Sequence, residues 1–240
     1  MARLARLVIP NLAHHVLHRA FNRDPVFFGD DDYRSYLANL KRLSRLFGCK
    51  VHAFCLMHNH VHLLVNPGDQ PGTLARLMKE LAVRHARYLR RIEGRRGPVW
   101  QGRFRSSPVA CDFVLACARY IELNPVRACL TSRPEDYRWS SARIRLGYEP
   151  LDIDPEASYL ALGASHAERV NAYRTYMTTP IPWDEWATIR RGVQSGGVTA
   201  SAQSRLRIME EFGIPAEPRR RGRPLGSRTR IWSERDNRAL

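Results

Sequence analysis

Two short apolar runs separated by only three residues constrain the fold of this 240-residue chain more than any other feature. They span residues 51–57 and 61–65, and the polar pair His58 and Asn59 lies between them. Apolar runs of this length with a short polar break indicate two neighbouring strands. Any helices must therefore lie before and after this pair of strands.

The segments before and after the pair have apolar residues at helical spacing. The first predicted helix has an acidic cap and first turn at residues 30–32 and ends at Gly48, and Thr73 caps the second. Strand-like segments at residues 14–20 and 99–109 complete the order β-α-β-β-α-β. This order is typical of the split ferredoxin-like arrangement, so we predict an α+β fold with an antiparallel sheet.

A third helix and a change in composition organise the rest of the chain. Asp112 is the predicted cap of this helix, which should end near Asn124 because a proline disfavours helical geometry in the residue before it. We predict a first domain over residues 1–148, a helical accessory region over residues 149–215, and a basic, disordered tail over residues 216–240. The accessory region has helical patterns at residues 156–162, 166–177, 183–191 and 200–212.

The charge balance points to a polyanionic partner. The chain has 39 Lys and Arg residues against 23 Asp and Glu residues, a formal net charge of +16. Nucleic acid is the commonest partner of such a chain, and the alternative is a basic surface with no partner. The sequence has no membrane-length apolar run, no phosphate-binding loop and no C-x-x-C pair. We therefore expect no membrane segment, no secretory signal, no nucleotide cofactor, and reduced cysteines in the cytoplasm.

His60 and His62 are the first candidates for a chemical site. Side chains two residues apart on a strand point to one face, so the two imidazoles can hold one divalent metal. Each ring then needs a partner that fixes its tautomer. The alternative is an ordinary pair of surface or half-buried histidines. His58 has the same parity and is either a third ligand or a turn residue.

Tyr120 and Asn124 form a second candidate pair, since four residues of separation place them on one helix face. A tyrosine hydroxyl can attack phosphorus, but an ordinary pKa of about 10 makes it a weak nucleophile at neutral pH. A metal that draws charge from the phosphate would offset this weakness, and Asn124 could give that metal a neutral oxygen. The alternative for Tyr120 is a core tyrosine.

Five ordered segments together resemble the single-tyrosine HUH transposases, and most closely the REP-associated tyrosine transposases. The resemblance extends from Arg6 to Tyr148. It rests on Asp32-Tyr33 and on residues 56–64 (LMHNHVHLL), 100–104 (WQGRF), 120–127 (YIELNPVR) and 134–141 (PEDYRWSS). It implies a ferredoxin-like HUH core.

Residue by residue, the resemblance implies that His60, His62 and Asn124 bind Mg²⁺ or Mn²⁺ and that Tyr120 is the nucleophile. His58 departs from the family pattern, in which proline or serine is common, and its role stays open. The implied reaction is a transesterification on single-stranded DNA beside a hairpin, through a 5′-phosphotyrosine intermediate that can be reversed to join strands. Relatives include dimers and monomers, so a monomer and a homodimer are both compatible with the resemblance.

Two other functions are alternatives to this transposase reaction. One is a DNA-binding regulator that has the same fold but has lost catalysis. The other is a metal-dependent phosphodiesterase in which water is the nucleophile, so that cleavage would survive the loss of Tyr120.

Arginines interleaved with aromatic residues are the predicted DNA contacts, since single strands need stacking surfaces as well as charge. The alternative is a solvated helix face. Residues 221–224 (RGRP) resemble the core of an AT-hook, a minor-groove element, and the alternative there is a nonspecific basic tail. The predicted DNA-binding residues are Arg84, Arg87, Arg91, Arg103, Arg105, Arg221 and Arg223.

Overall fold

The computed structural model describes residues 6–94, 96–150 and 152–214. Its centre is a four-stranded antiparallel sheet with the strand order β2-β3-β1-β4. The strands are β1 (Ala13–Arg19), β2 (Lys50–Met57), β3 (His60–Asn66) and β4 (Arg105–Val109). Since β2 and β3 pair directly across the turn at His58 and Asn59, the two neighbouring strands predicted from the apolar runs are confirmed. The predicted α+β, ferredoxin-like fold class is confirmed as well.

Helices cover both faces of this sheet. The long helices α1 (Asp30–Leu46) and α2 (Gly72–Ile92) form the main hydrophobic core on one face. The other face is covered by α3 (Val114–Glu122) and α8 (Trp183–Ser195). The remaining helices are α4 (Asn124–Arg127), α5 (Ala142–Arg145), α6 (Ala157–Leu160), α7 (His166–Thr178) and α9 (Ala202–Phe212).

The alternation of side chains along β3 separates these two faces. Val61 and Leu63 are fully buried in the core beneath α1 and α2. His60 and His62 therefore point to the opposite face, toward α3. In the antiparallel register, Arg19 of β1 lies opposite His60 and shares that face. The burial of two aliphatic side chains thus directs both imidazoles to one side of the sheet.

The first two helices begin differently from the predicted caps. The acidic first turn of α1 is confirmed, but its N-cap is Gly29, and Asp32 accepts hydrogen bonds from the N–H groups of Phe28 (2.6 Å) and Gly29 (3.1 Å). The prediction that Thr73 caps α2 is wrong, because α2 begins at Gly72. The Thr73 hydroxyl instead donates to the carbonyl of Pro67 at 2.7 Å, within the preceding turn.

The third predicted helix ends where expected, but Asp112 is not its N-cap. Asp112 lies in a 3₁₀ turn, Cys111–Phe113, and its carboxylate accepts a hydrogen bond from the Ser204 hydroxyl at 2.8 Å, so it does not cap α3. α3 ends at Glu122, which agrees with the stop expected before Pro125. A short helix, α4, follows directly, with this proline in its first turn, where a missing N–H costs nothing.

The fourth strand is shorter than predicted. The expectation was residues 99–109, whereas the strand covers only Arg105–Val109 and Trp100 forms an isolated bridge to Ala20. Gly102 has a φ of 68°, which turns the chain away from the ladder between Trp100 and β4.

The helices predicted beyond residue 148 are all present as α6, α7, α8 and α9. α6 and α7 pack against the first domain through an apolar cluster that joins Tyr159 and Tyr173 to Ala142 and Leu146. The division at residue 148 stays a prediction, and the predicted tail over residues 216–240 lies outside the described residues. Within the described residues, no helix is long and apolar enough to cross a membrane.

A buried charged cluster connects α3 to the accessory helices. Arg145 is fully buried between the carboxylates of Glu122, at 3.2 Å, and Glu156, at 2.6 Å. Glu122 also accepts hydrogen bonds from the hydroxyls of Ser141 (2.6 Å) and Tyr173 (2.7 Å). Since buried charges are costly unless paired, the cluster requires all four elements that supply these groups.

Replacing Arg145 by methionine tests this cluster. The change keeps the bulk of the side chain but leaves two carboxylates without their cation, so we expect the free energy of unfolding to fall by about 3–5 kcal/mol in urea denaturation. Arg34→Met is the matched control, because Arg34 pairs with Asp30 and Asp31 on the exposed surface of α1, where an ion pair contributes about 0–1 kcal/mol. Equal effects of the two substitutions would contradict the assigned role.

Candidate active site

The two histidines of β3 lie side by side at the end of the strand nearest the turn. Their ring centroids are 5.1 Å apart and the rings are close to perpendicular, at 78°. His62 is buried, with 4% of its surface exposed, whereas His60 is half-buried. The pair therefore has one edge inside the protein and one edge toward solvent.

Hydrogen bonds to one nitrogen of each ring leave the other nitrogen open. The Nδ1 of His60 donates to Oδ1 of Asn59 at 2.7 Å, since this oxygen is only an acceptor. The Nδ1 of His62 contacts the Nε2 of His15 at 2.8 Å. Among the described residues, no protein group is hydrogen-bonded to Nε2 of His60 or His62. This pattern, with Nδ1 engaged and Nε2 open, is that of imidazoles oriented to bind a metal.

His15 is a site residue that the sequence reasoning missed. It lies on β1, is fully buried, and has no hydrogen-bond partner within the described chain for its Nδ1. When His62 donates from Nδ1 to Nε2 of His15, the lone pair of Nε2 on His62 is free for a ligand. The signal was available in the consecutive pair His14 and His15, because one of two adjacent strand residues must face the same side as His62.

Burial keeps these imidazoles neutral. It lowers the pKa of His15 to about 3, and burial together with Arg19 and His58 lowers the pKa of His60 to about 4. Burial is also the main cause that holds the pKa of His62 well below its usual value. Neutral imidazole is the form that ligates metals, so all three rings are in this form at pH 7 without any titration.

Tyr120 reaches the same place from α3. Its ring centroid is 6.3 Å from that of His62 and 5.6 Å from that of His15, and the side chain is 6% exposed. The structure therefore brings together the phenol and the imidazoles that the sequence singled out separately.

Asn124 lies just after Tyr120 but in a different helix, since α3 ends at Glu122 and Asn124 begins α4. Its Nδ2 donates to the carbonyl oxygens of Tyr120 (3.0 Å) and Ile121 (3.1 Å). Because the amide nitrogen is used in this way, Oδ1 is the atom left to accept or to ligate.

The groups present fit a divalent cation. Two neutral imidazoles with open Nε2 atoms and one amide oxygen match the ligand preferences of such an ion. No cluster of three His, Cys, Asp or Glu residues suited to a metal occurs within residues 6–94, 96–150 and 152–214. Asn124 is the candidate for a third ligand of another type. His58 is exposed in the turn and its carbonyl accepts from the N–H of Val26 at 2.8 Å.

The predicted DNA-binding arginines fall into separate places. Three of them, Arg84, Arg87 and Arg91, lie on α2, across the sheet from Tyr120, and Arg84 contacts Glu80 at 3.3 Å. Arg105 is on β4 and exposed on the face of the imidazoles, and Arg103 is exposed in the loop before it. The remaining two, Arg221 and Arg223, lie outside the described residues.

Comparison with known proteins identifies the family. Residues 8–124 match the family model described as "Transposase IS200 like". These residues belong to the IS200-like transposase family. The transposase domain therefore contains the whole of the sheet, together with His60, His62, Tyr120 and Asn124. No curated protein matches the chain significantly.

Solved structures give the fold relatives of this chain. A REP-associated tyrosine transposase bound to a REP hairpin is similar over 65% of this chain and 93% of that chain, with a TM-score of 0.52 and 16% identity. This similarity shows a shared fold. A transposase candidate from Deinococcus radiodurans R1 matches 50% of this chain and 96% of that chain, with a TM-score of 0.35 and 20% identity.

Loss of the His15 acceptor is expected to weaken metal binding. In His15→Leu, the Nδ1 proton of His62 loses its acceptor and the tautomer is no longer fixed, so we expect the affinity for Mn²⁺ in calorimetric titration to fall by about 10–100-fold. His15→Gln, which retains an acceptor, should lose less.

The control for this experiment is His18→Leu. His18 is also a buried histidine of β1, but it stacks on Trp100 at 4.2 Å on the opposite face of the sheet. It should bind Mn²⁺ like the wild type. An equal loss in His15→Leu and His18→Leu would show that strand stability, not the tautomer, explains the effect.

Proposed function

We propose that this transposase is an endonuclease and strand transferase for single-stranded DNA and that Tyr120 is its nucleophile. The convergence of Tyr120 with His62 and His15, at 6.3 Å and 5.6 Å between ring centroids, is the observation that carries the proposal. A core tyrosine would require neither a pair of imidazoles with open nitrogens nor an amide oxygen from the next turn.

The reaction exchanges one ester of phosphate for another. The Tyr120 oxygen forms a bond to phosphorus and loses its proton, while the bond from phosphorus to the 3′-oxygen breaks and that oxygen takes up a proton. The products are a 5′-phosphotyrosine and a free 3′-hydroxyl. Because an ester is retained, a 3′-hydroxyl can attack the phosphotyrosine and join strands with no nucleotide cofactor.

His60, His62 and Asn124 would hold the divalent cation, Mg²⁺ or Mn²⁺, that this proposal includes. When bound, such a cation withdraws charge from the phosphate under attack. The protein's own contribution is to keep the imidazoles neutral by burial and to fix their orientation through Asn59 and His15.

The proposed substrate is a DNA hairpin with single-stranded flanks, by analogy with the hairpin bound to the fold relative. Arg84, Arg87 and Arg91 lie on α2, on the opposite face of the sheet from Tyr120, and we assign them to a duplex stem rather than to the strand being cut. Arg19 and Arg105 are exposed on the face of the imidazoles and suit the single strand. Arg103, Arg221 and Arg223 complete the proposed DNA contacts.

A covalent adduct with DNA tests the proposed nucleophile. Wild-type protein incubated with hairpin-bearing single strands and Mn²⁺ should give a protein–DNA band on a denaturing gel. Tyr120→Phe should bind the same DNA normally but give no band, because the attacking oxygen is missing. Tyr148→Phe, at an exposed tyrosine, is the matched control and should form the adduct.

Three results would contradict the proposal. Adduct formation by Tyr120→Phe would assign the nucleophile elsewhere. Cleavage by Tyr120→Phe without an adduct would indicate water as the nucleophile. DNA binding by the wild type without cleavage, unaffected by a combined His60→Ala and His62→Ala change, would indicate a regulator.

A further inference from the structure

A cation held between two aromatic rings adjoins the proposed nucleophile. The guanidinium carbon of Arg127 lies 4.7 Å from the ring centroid of Tyr120 and 4.0 Å from that of Trp186. The two rings are themselves 5.2 Å apart and inclined at 62°. Arg127 lies just beyond residues 8–124, which match the family, and Trp186 lies much further along the chain, in α8.

The rings hold this guanidinium but leave its N–H donors available. Arg127 is exposed, and within the described chain it has neither a carboxylate partner nor a side-chain hydrogen bond. By contrast, Arg119 on α3 is buried and uses its donors on Glu185 and on the carbonyl of Tyr176. A guanidinium with open donors presents a planar fork that matches two oxygens of a phosphate.

The guanidinium also lies next to the imidazoles. The Tyr120 ring that it faces at 4.7 Å is 6.3 Å from His62 and 5.6 Å from His15 between ring centroids. Arg127 therefore adjoins the space in which a phosphate between Tyr120 and the histidines would lie.

Helix α8 is fixed to the domain on both sides of Trp186. Arg119 forms an ion pair with Glu185 at 2.7 Å, directly before Trp186 in sequence. Further along, Gly192 approaches β4 so closely that a Cβ there would lie 2.1 Å from Oγ1 of Thr199 and 2.7 Å from Oγ of Ser107. A larger residue at position 192 would force the Thr199 and Ser107 side chains to shift, so α8 packs closely here as well. The position of Trp186 is therefore determined by the docking of the whole helix.

We propose that Arg127 binds the phosphodiester that Tyr120 attacks, and that Trp186 of the accessory region is the positioning residue that holds the guanidinium there. The inference rests on the proposed function. It assigns to the accessory region a part in building the active site, in addition to any contact that the region makes with DNA elsewhere.

The test measures the affinity for a hairpin oligonucleotide with single-stranded flanks, in EDTA, so that cleavage does not contribute. Arg127→Ala should bind roughly tenfold more weakly, as expected for the loss of a charge-assisted hydrogen bond. Its log affinity should also depend less on log salt, by about 0.7 in the slope, because one phosphate contact is lost. Trp186→Leu keeps the apolar bulk but removes the ring face, and should weaken binding in the same direction, whereas Trp186→Phe should restore most of it.

The double variant separates positioning from a general structural effect. If Trp186 acts through Arg127, the combination of Arg127→Ala with Trp186→Leu is no weaker than Arg127→Ala alone. Trp183→Leu is the matched control, since Trp183 lies one turn earlier on α8 and is 83% exposed. It should bind like the wild type.

The outcomes distinguish this inference from the proposed function. Wild-type affinity in Arg127→Ala, additive losses in the double variant, or an equal loss in Trp183→Leu would each overturn the inference, whatever the adduct assay gives. Coupled losses with no adduct in the wild type would support the phosphate site while refuting the nucleophile.

Discussion

The alternation of β3 between two buried layers is the constraint on which the candidate active site depends. Val61 and Leu63 are fixed in the core beneath α1 and α2, so His60 and His62 can only point toward α3. A register slip of one residue would bury the imidazoles among leucines and expose the aliphatic side chains. The burial of Val61 and Leu63 therefore orients the imidazoles, although neither of these two residues takes part in the site.

The candidate site combines neutral imidazoles with positively charged guanidinium groups beside them. Burial keeps His15, His60 and His62 uncharged, as a metal site needs, while Arg19 and Arg127 lie at its solvent edge. In the proposed function, the neutral imidazoles hold a cation and the guanidinium groups attract the phosphate. The two groups can coexist because the imidazoles are buried or half-buried on one face of the sheet, whereas the guanidinium groups of Arg19 and Arg127 are exposed beside them.

Local patterns in the sequence were sufficient to predict the pairing of β2 with β3, the order of the elements and the four helices beyond residue 148. They failed at Thr73 and Asp112, where a polar side chain resembles a cap but bonds to another turn or to α9. They also missed His15, because its role comes from pairing with a strand far along the chain. They missed Trp186 as well, since nothing near it in sequence indicates that its ring packs against Tyr120 of α3.

The buried cluster around Arg145 has a consequence for how such chains can diverge. Glu122, on the helix of Tyr120, depends on a tyrosine from α7 and shares its cation with a glutamate just before α6. The helices beyond the family match cannot be exchanged for an unrelated appendage unless new groups neutralise that carboxylate. The residues that match the family model, 8–124, are thus fewer than the residues that must change together, because the cluster also includes Arg145, Glu156 and Tyr173.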